Sequence, residues 1–422
     1  MSGGPVVRGT WLAPQHLVFL LCSLTVFLDG FDVQAMALAV PALAHGWGLS
    51  PVAFSSALTT SVIGLGIGAA FIAPLGDRFG RRPVLIACTA VLGLSSLLTA
   101  MATSVTGIAL LRLVTGAALG ACQGNATALM ADYANPARRA WILTLMGCNV
   151  AVGSLVAGFI APWLIAWLGW QGIFVAGGVF PLLLSACLFL LLPEARALAG
   201  RGAAPSAAAP TEDAIVEASG LRGLLGTDFR SRTLLLWLIY SLNTFLIYMV
   251  ISWLPTLLDA AGWSSTAALR SVMAFHIGGI VGALLLAIVM DRGRPTSALA
   301  AGFILAAVAS GLFLLLPPLI PVWALLLALL GGGISGTTFT LFALAASIYP
   351  VNLRASAFGW LAAVARIGAV LGPVIGGALL AFEVSPRLII AGLAAPALVC
   401  AVLSLFMRRV LSPRSLPVPE TV

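Results

Sequence analysis

Residues 17–32 read Leu-Val-Phe-Leu-Leu-Cys-Ser-Leu-Thr-Val-Phe-Leu-Asp29-Gly30-Phe31-Asp32, within an apolar run that continues to about Leu43. A charged side chain at bilayer depth costs roughly 2.5–3.5 kcal/mol on insertion scales, so two carboxylates in one such run need a reason. At spacing i, i+3 they share one helix face, about 4.5 Å apart along the axis. That face requires a water-filled cavity or cationic partners, not lipid. Carboxylates this close repel each other until a proton or a cation relieves them. A group able to gain and lose charge inside a membrane suits a proton-coupled carrier; a buried structural ion pair is the other reading.

Composition extends this reading to the whole chain. Of 422 residues, 61% are hydrophobic and 8% charged, against about a quarter charged in soluble domains. The mean hydropathy is +1.12. The apolar runs are near 20 residues long rather than alternating ten-residue strands, so they read as helices and not as a barrel. The expected fold is an all-α integral membrane protein with twelve transmembrane helices, at roughly 15–41, 52–75, 83–102, 106–131, 141–165, 170–192, 233–258, 267–290, 296–317, 320–348, 355–382 and 388–408.

The net charge of +8 comes from 21 Arg and no Lys. With the N-terminus inside, 17 of the 21 fall on cytoplasmic segments, and only Arg270 and Arg387 fall outside. This places both termini on the cytoplasmic side and excludes a nucleic-acid footprint. Arg112 and Arg366 fall inside spans. The six Cys lie in apolar runs without a Cys-x-x-Cys pair and read as small buried hydrophobes.

The loop 193–232, rich in Ala, Gly and Pro, reads as a cytoplasmic linker between bundles 1–192 and 233–422. The bundles read as parallel repeats. Asp77-Arg78-Phe79-Gly80-Arg81-Arg82-Pro83 is answered by Asp291-Arg292-Gly293-Arg294-Pro295, Arg139-Ala140 by Arg354-Ala355, and Gly153 by Gly368, at offsets of 214 or 215 residues. Parallel six-helix halves with a site at their interface are a transporter architecture. The intramembrane charges are not repeated: Asp29 falls near Thr244, Arg112 near Leu327, and Arg366 on Ala151.

Asp77-Arg78-x-Gly80-Arg81-Arg82 resembles the loop signature of the major facilitator superfamily, with Ala73 where that pattern begins with Gly. A narrower resemblance covers almost the whole chain. Asp-Gly-Phe-Asp in span 1, Arg112 with Gly116 and Gly120, Trp253-Leu254-Pro255, Tyr349-Pro350 with Arg354, and Arg366-Ile367-Gly368-Ala369 with Gly372-Pro373 are similar to the aromatic acid:proton symporter family. The resemblance implies uptake of benzoate- or hydroxybenzoate-type acids with protons. It implies Asp29 and Asp32 as the proton-coupling acidic pair and Arg112 and Arg366 as the intramembrane arginines. Asp132 stands where that family usually has Glu.

Within this frame each residue has two readings. Arg366 holds a substrate carboxylate bidentately or pairs structurally; Arg112 holds substrate or pairs with Asp32. Phe31, Tyr240, Phe245, Tyr248 and Phe339 supply flat walls for an aromatic ring or pack helices. His276, Asn243 and Gln123 bind substrate or bridge helices. Asp77, Arg78, Arg81, Arg82, Asp132 and Arg354 read as a cytoplasmic gate, with Asp77 facing a helix N-terminus in the other half, or as inside-positive topology. The expected partners are an aromatic carboxylate, protons and the bilayer, with a monomer as the working unit. No cofactor or metal is expected, and no hydrolase, zincin or Walker motif points to an enzyme. The alternatives are a carrier for another organic anion or sugar acid, a drug or metabolite exporter, and a non-transporting membrane sensor.

Overall fold

The computed structural model describes residues 14–133, 139–192, 221–227 and 229–411. Among these residues, twelve helices are long and apolar enough to cross a membrane. Span 1 is Pro14–Trp47. Span 2 joins a 3-10 turn Pro51–Phe54, a helix Ser55–Ile67 and a π turn Gly68–Ile72. Spans 3 to 6 are Arg81–Ala100, Val105–Tyr133, Arg139–Leu168 and Gln171–Leu191. Spans 7 to 11 are Arg230–Ala260, Ser265–Asp291, Pro295–Leu315, Ile320–Ile348 and Val351–Ala381. Span 12 is Pro386–Gly392 followed by Ala394–Leu411. An even number of spans puts both ends of the described chain on one face, here the near face; the opposite one is the far face.

Helix is the only open-chain solution in hydrocarbon, because it satisfies its backbone within one segment. Serines mark several starts at the far face. The side chains of Ser50, Ser264 and Ser385 each accept a backbone N–H from the first turn that follows. At the near face, Gly80 (φ 97°) and its repeat partner Gly293 (φ 73°) turn the chain in a backbone region that a side chain disfavours. The apolar run predicts an end of span 1 near residue 41. The helix instead runs through Pro41 to Trp47, since a missing N–H in the membrane is tolerated where neighbouring groups re-satisfy the ladder.

Most of the linker 193–232 lies outside the described residues. Its end does not behave as a linker. A turn of helix at Leu221–Leu224 buries Leu224 in the second bundle, where Thr233 Oγ1 donates to the Leu224 carbonyl at 2.8 Å. Span 7 then begins at Arg230.

The two six-helix bundles are built alike, and small residues show it. Gly153 of span 5 lies against the backbone of Phe27 and Phe31 in span 1; Gly368 of span 11 lies against Ser241 and Phe245 in span 7. A Cβ at either glycine would overlap a backbone carbonyl of the neighbouring helix. Gly116 against Ser61 and Gly331 against Phe275 repeat the pattern between spans 2 and 4 and between spans 8 and 10. All these contacts are related by the 214–215 residue offset. Gly368, Gly372 and Gly376 of span 11 thus serve close packing on span 7. Ala73 keeps a tight approach to span 4 because a glycine, Gly124, faces it. The halves meet along spans 1 and 7, 2 and 11, and 5 and 8.

Candidate functional site at the interface of the two bundles

Asp29 lies midway along span 1 and is 5% exposed. Its Oδ2 accepts a hydrogen bond from Gln123 Nε2 of span 4 at 3.2 Å, while its Oδ1 is buried without a hydrogen-bond partner. The Arg366 guanidinium, half-buried on span 11, acts electrostatically on Asp29 and on Tyr240 and Tyr248 of span 7. One unsatisfied carboxylate oxygen and two phenols therefore lie within electrostatic reach of one cation.

Asp32 is differently placed. Arg112 of span 4, fully buried, donates to Asp32 Oδ1 at 2.8 Å and to Oδ2 at 2.5 Å. Its Nη2 also reaches the Asp32 carbonyl and Ser61 Oγ, both at 3.2 Å, and the guanidinium lies 6.0 Å from the Phe174 ring centre. The i, i+3 acidic pair is thus split chemically. Asp32 is neutralised by a bidentate partner, and Asp29 keeps a free oxygen. Of the two readings of Arg112, the structure shows the ion pair. The guanidinium still borders a small cavity of about 10 Å³, room for one water, that Tyr248, Ser61 and Ser252 also line.

Two expected substrate contacts are corrected. Phe31 is buried against the face of span 6 at Gly177, inside its own bundle. The cause is helical rotation: Phe31 stands two residues, about 200°, from Asp29 and so points away from the interface. Asn243, fully buried, bridges two helices of its own bundle: its Nδ2 donates to Thr338 Oγ1 at 3.0 Å and its Oδ1 accepts from Thr337 Oγ1 at 3.1 Å. The packing offset of 214 makes Asn243 the repeat partner of Asp29, one residue from the Thr244 that the sequence suggested. Gln123 and Thr338 are likewise 215 residues apart. The same span 1–span 4 bridge is therefore ionisable in one bundle and neutral in the other.

His276, buried on span 8, faces Gln34 of span 1, with Nε2 3.3 Å from its Oε1. Gln34 was not singled out in the sequence, where a lone amide in an apolar run carries no motif. Neither was the contact of His45 Nε2 with Asp259 Oδ2 (3.1 Å), at the far ends of spans 1 and 7.

At the near face Arg81 donates to Asp77 Oδ1 (3.2 Å), to the Ala128 carbonyl (3.1 Å) and to Asp132. Asp77 was expected to face the other half. It pairs within its own half, with its side chain 73% exposed. Arg82 donates to the Phe189 carbonyl at 2.6 Å, and Arg78 lies 5.2 Å over the Phe79 ring. The side chain of Arg354 lies outside the described residues. Among the described residues no three His, Cys, Asp or Glu side chains converge as a metal site would.

Twelve spans, two bundles with repeated helix contacts and a charged interface define a membrane carrier. The sequence profile of the Major Facilitator Superfamily matches residues 22–351 and 277–421. A gallate transporter of Pseudomonas putida is 36% identical over 410 residues, 92% of this chain and 91% of the relative. The 4-hydroxybenzoate transporter PcaK of Acinetobacter baylyi is 33% identical over 428 residues, 95% and 92% of the two chains. Among solved structures, a bacterial homolog of the human lysosomal transporter Spinster, inward-facing and unoccupied, superposes with a TM-score of 0.71 at 19% identity, over 95% of this chain and 97% of that one. The chain belongs to the major facilitator superfamily and, within it, to the aromatic acid transporter family.

Proposed function

We propose that this protein imports hydroxybenzoate-type aromatic carboxylates together with protons, by alternating access. The observation that carries the reading is the unpartnered Asp29 Oδ1 within electrostatic reach of Arg366. A guanidinium matches a carboxylate bidentately and stays charged. A carboxylate with a free oxygen can take a proton without first breaking a salt bridge. Asp32, held by Arg112, would have to give up two charge-assisted hydrogen bonds to do so. Asp29 is therefore the proton-coupling group in this account, and Asp32 positions span 1.

Loading proceeds from the outer side. Asp29 takes a proton and the substrate carboxylate settles on Arg366, with Tyr248 beside the ring. Neutralising both charges removes the penalty of enclosing them in a low dielectric, so the halves, 1–192 and 233–422, rock about the site while 193–232 joins them. On the inner side the proton leaves first and the carboxylate follows. With the inside-positive orientation, both termini are cytoplasmic in a bacterial inner membrane. The far face is then the outer one, and Asp77, Arg78, Arg81, Arg82, Asp132 and Arg354 serve the inner gate. The gallate and 4-hydroxybenzoate relatives support a hydroxylated benzoate as substrate.

Uptake of radiolabelled benzoate, 4-hydroxybenzoate, gallate and 3-hydroxyphenylpropionate by expressing cells, with and without a protonophore, tests this. Saturable uptake abolished by the protonophore is expected. Intact protein in the membrane with no uptake of any of these acids would refute the substrate class.

A further inference from the structure

We propose that Gln34 and His276, with the backbone carbonyl of Ile251, form the outer gate of the transport path. The proposal rests on the alternating-access reading above.

Gln34 is fully buried in span 1, two residues beyond Asp32 towards the far face. Its Nε2 donates to the Ile251 carbonyl of span 7 at 3.4 Å, and its Oε1 lies 3.3 Å from His276 Nε2 of span 8. The orientation follows from elementary chemistry. A carbonyl only accepts, so the amide nitrogen must face Ile251. The amide oxygen then faces His276, whose Nε2 must carry the hydrogen. The Ile251 carbonyl is available because residue i+4 is Pro255, inside the helix and without an N–H. One side chain of the first bundle thus ties two helices of the second.

The link lies between the site and the far mouth. Beyond it a cavity of about 70 Å³ is lined by Leu38, Pro41, Ala42, His45, Pro255 and Asp259, among others, with the His45–Asp259 contact at its rim. His45 and Asp259 are themselves 214 residues apart, so repeat partners meet here. The same offset relates Gln34 to Tyr248 and His276 to Val62. Tyr248 and Val62 border the small cavity beside Arg112. The two crossings of the interface are therefore unlike. One is a buried polar link, and the other sets a phenol against a valine beside the charged site. Outward opening must separate span 1 from spans 7 and 8, and so must break both hydrogen bonds of Gln34 in every cycle.

The test uses the full chain with its six native cysteines replaced and a reporter at Leu65→Cys, a buried position lining the small cavity beside Arg112, on the site side of the link. The labelling rate by a membrane-impermeant thiol reagent, added to intact cells without substrate, follows the outward-open fraction. Gln34→Leu leaves the Ile251 carbonyl and His276 unpartnered in the closed state only, and is expected to raise the rate about tenfold. Pro255→Ala supplies the N–H that Gln34 now replaces and frees Gln34. It too is expected to raise the rate, although it favours the helix; a purely structural proline would leave the rate unchanged or lower it. Rates within twofold of the parent for both variants, at normal membrane levels, would overturn the proposal. If Gln34→Leu does not reach the membrane, Pro255→Ala decides alone. Labelling needs no aromatic acid, so failure here is distinct from failure of the substrate assignment.

Discussion

The sharpest consequence of the site geometry concerns Asp32 and Arg112. Arg112 is fully buried, and two of its nitrogens engage both carboxylate oxygens of Asp32. Removing one partner from such a pair strands the other charge in the core, which costs about 3–5 kcal/mol. Replacing both by apolar side chains of similar volume strands neither, and such swaps are often close to neutral. Arg112→Met and Asp32→Leu should each lose about 3–5 kcal/mol of unfolding free energy, and the double variant should recover at least half of the summed loss. The assay is chemical unfolding of purified protein in detergent, with uptake measured in parallel. The reasoning fails if Arg112→Met unfolds like the parent while raising the KM for the aromatic acid. That result would make the guanidinium a substrate ligand.

Further outcomes follow from the same geometry. Arg366→Lys keeps the charge but loses the bidentate fork, so the KM for uptake should rise by about tenfold or more with a smaller change in kcat, as read in transport kinetics. Asn243→Ala removes the bridge to Thr337 and Thr338 and should lose about 1–3 kcal/mol of stability with KM unchanged, whereas a substrate contact would raise KM. Gly368→Val drives a side chain into the Ser241 carbonyl and should lower the melting temperature by the equivalent of about 1–3 kcal/mol. Arg81→Ala removes a solvent-exposed network worth at most about 1 kcal/mol. Its effect should appear in transport rate and not in unfolding.

The fold was legible because hydrocarbon leaves a chain few choices. Twenty-residue apolar runs and inside-positive arginines are enough to count spans, and the duplicated loop motif pairs the halves. The polar residues were legible as a set because each is costly where it stands. Their directions were not. Phe31 belongs to the Asp-Gly-Phe-Asp run, yet helical rotation turns it into the bundle. Asn243 carries no charge, so nothing in the sequence told a helix bridge from a ligand. The repeat offset held more than the motif comparison drew from it. It places Asp29 over Asn243 and Gln123 over Thr338, and it sets His45 opposite Asp259. Gln34 needed the structure, because its partner is a backbone carbonyl exposed by a proline one helical turn further on.

The central claim is that Asp29 couples proton movement to substrate. Purified protein in liposomes with an imposed pH gradient, alkaline inside, tests it most directly, with 4-hydroxybenzoate as the probe. The account predicts accumulation by the parent, collapsed by a protonophore. It also predicts that Asp29→Asn exchanges labelled for unlabelled substrate but accumulates none. Gradient-driven accumulation by Asp29→Asn at the parent's level would contradict it.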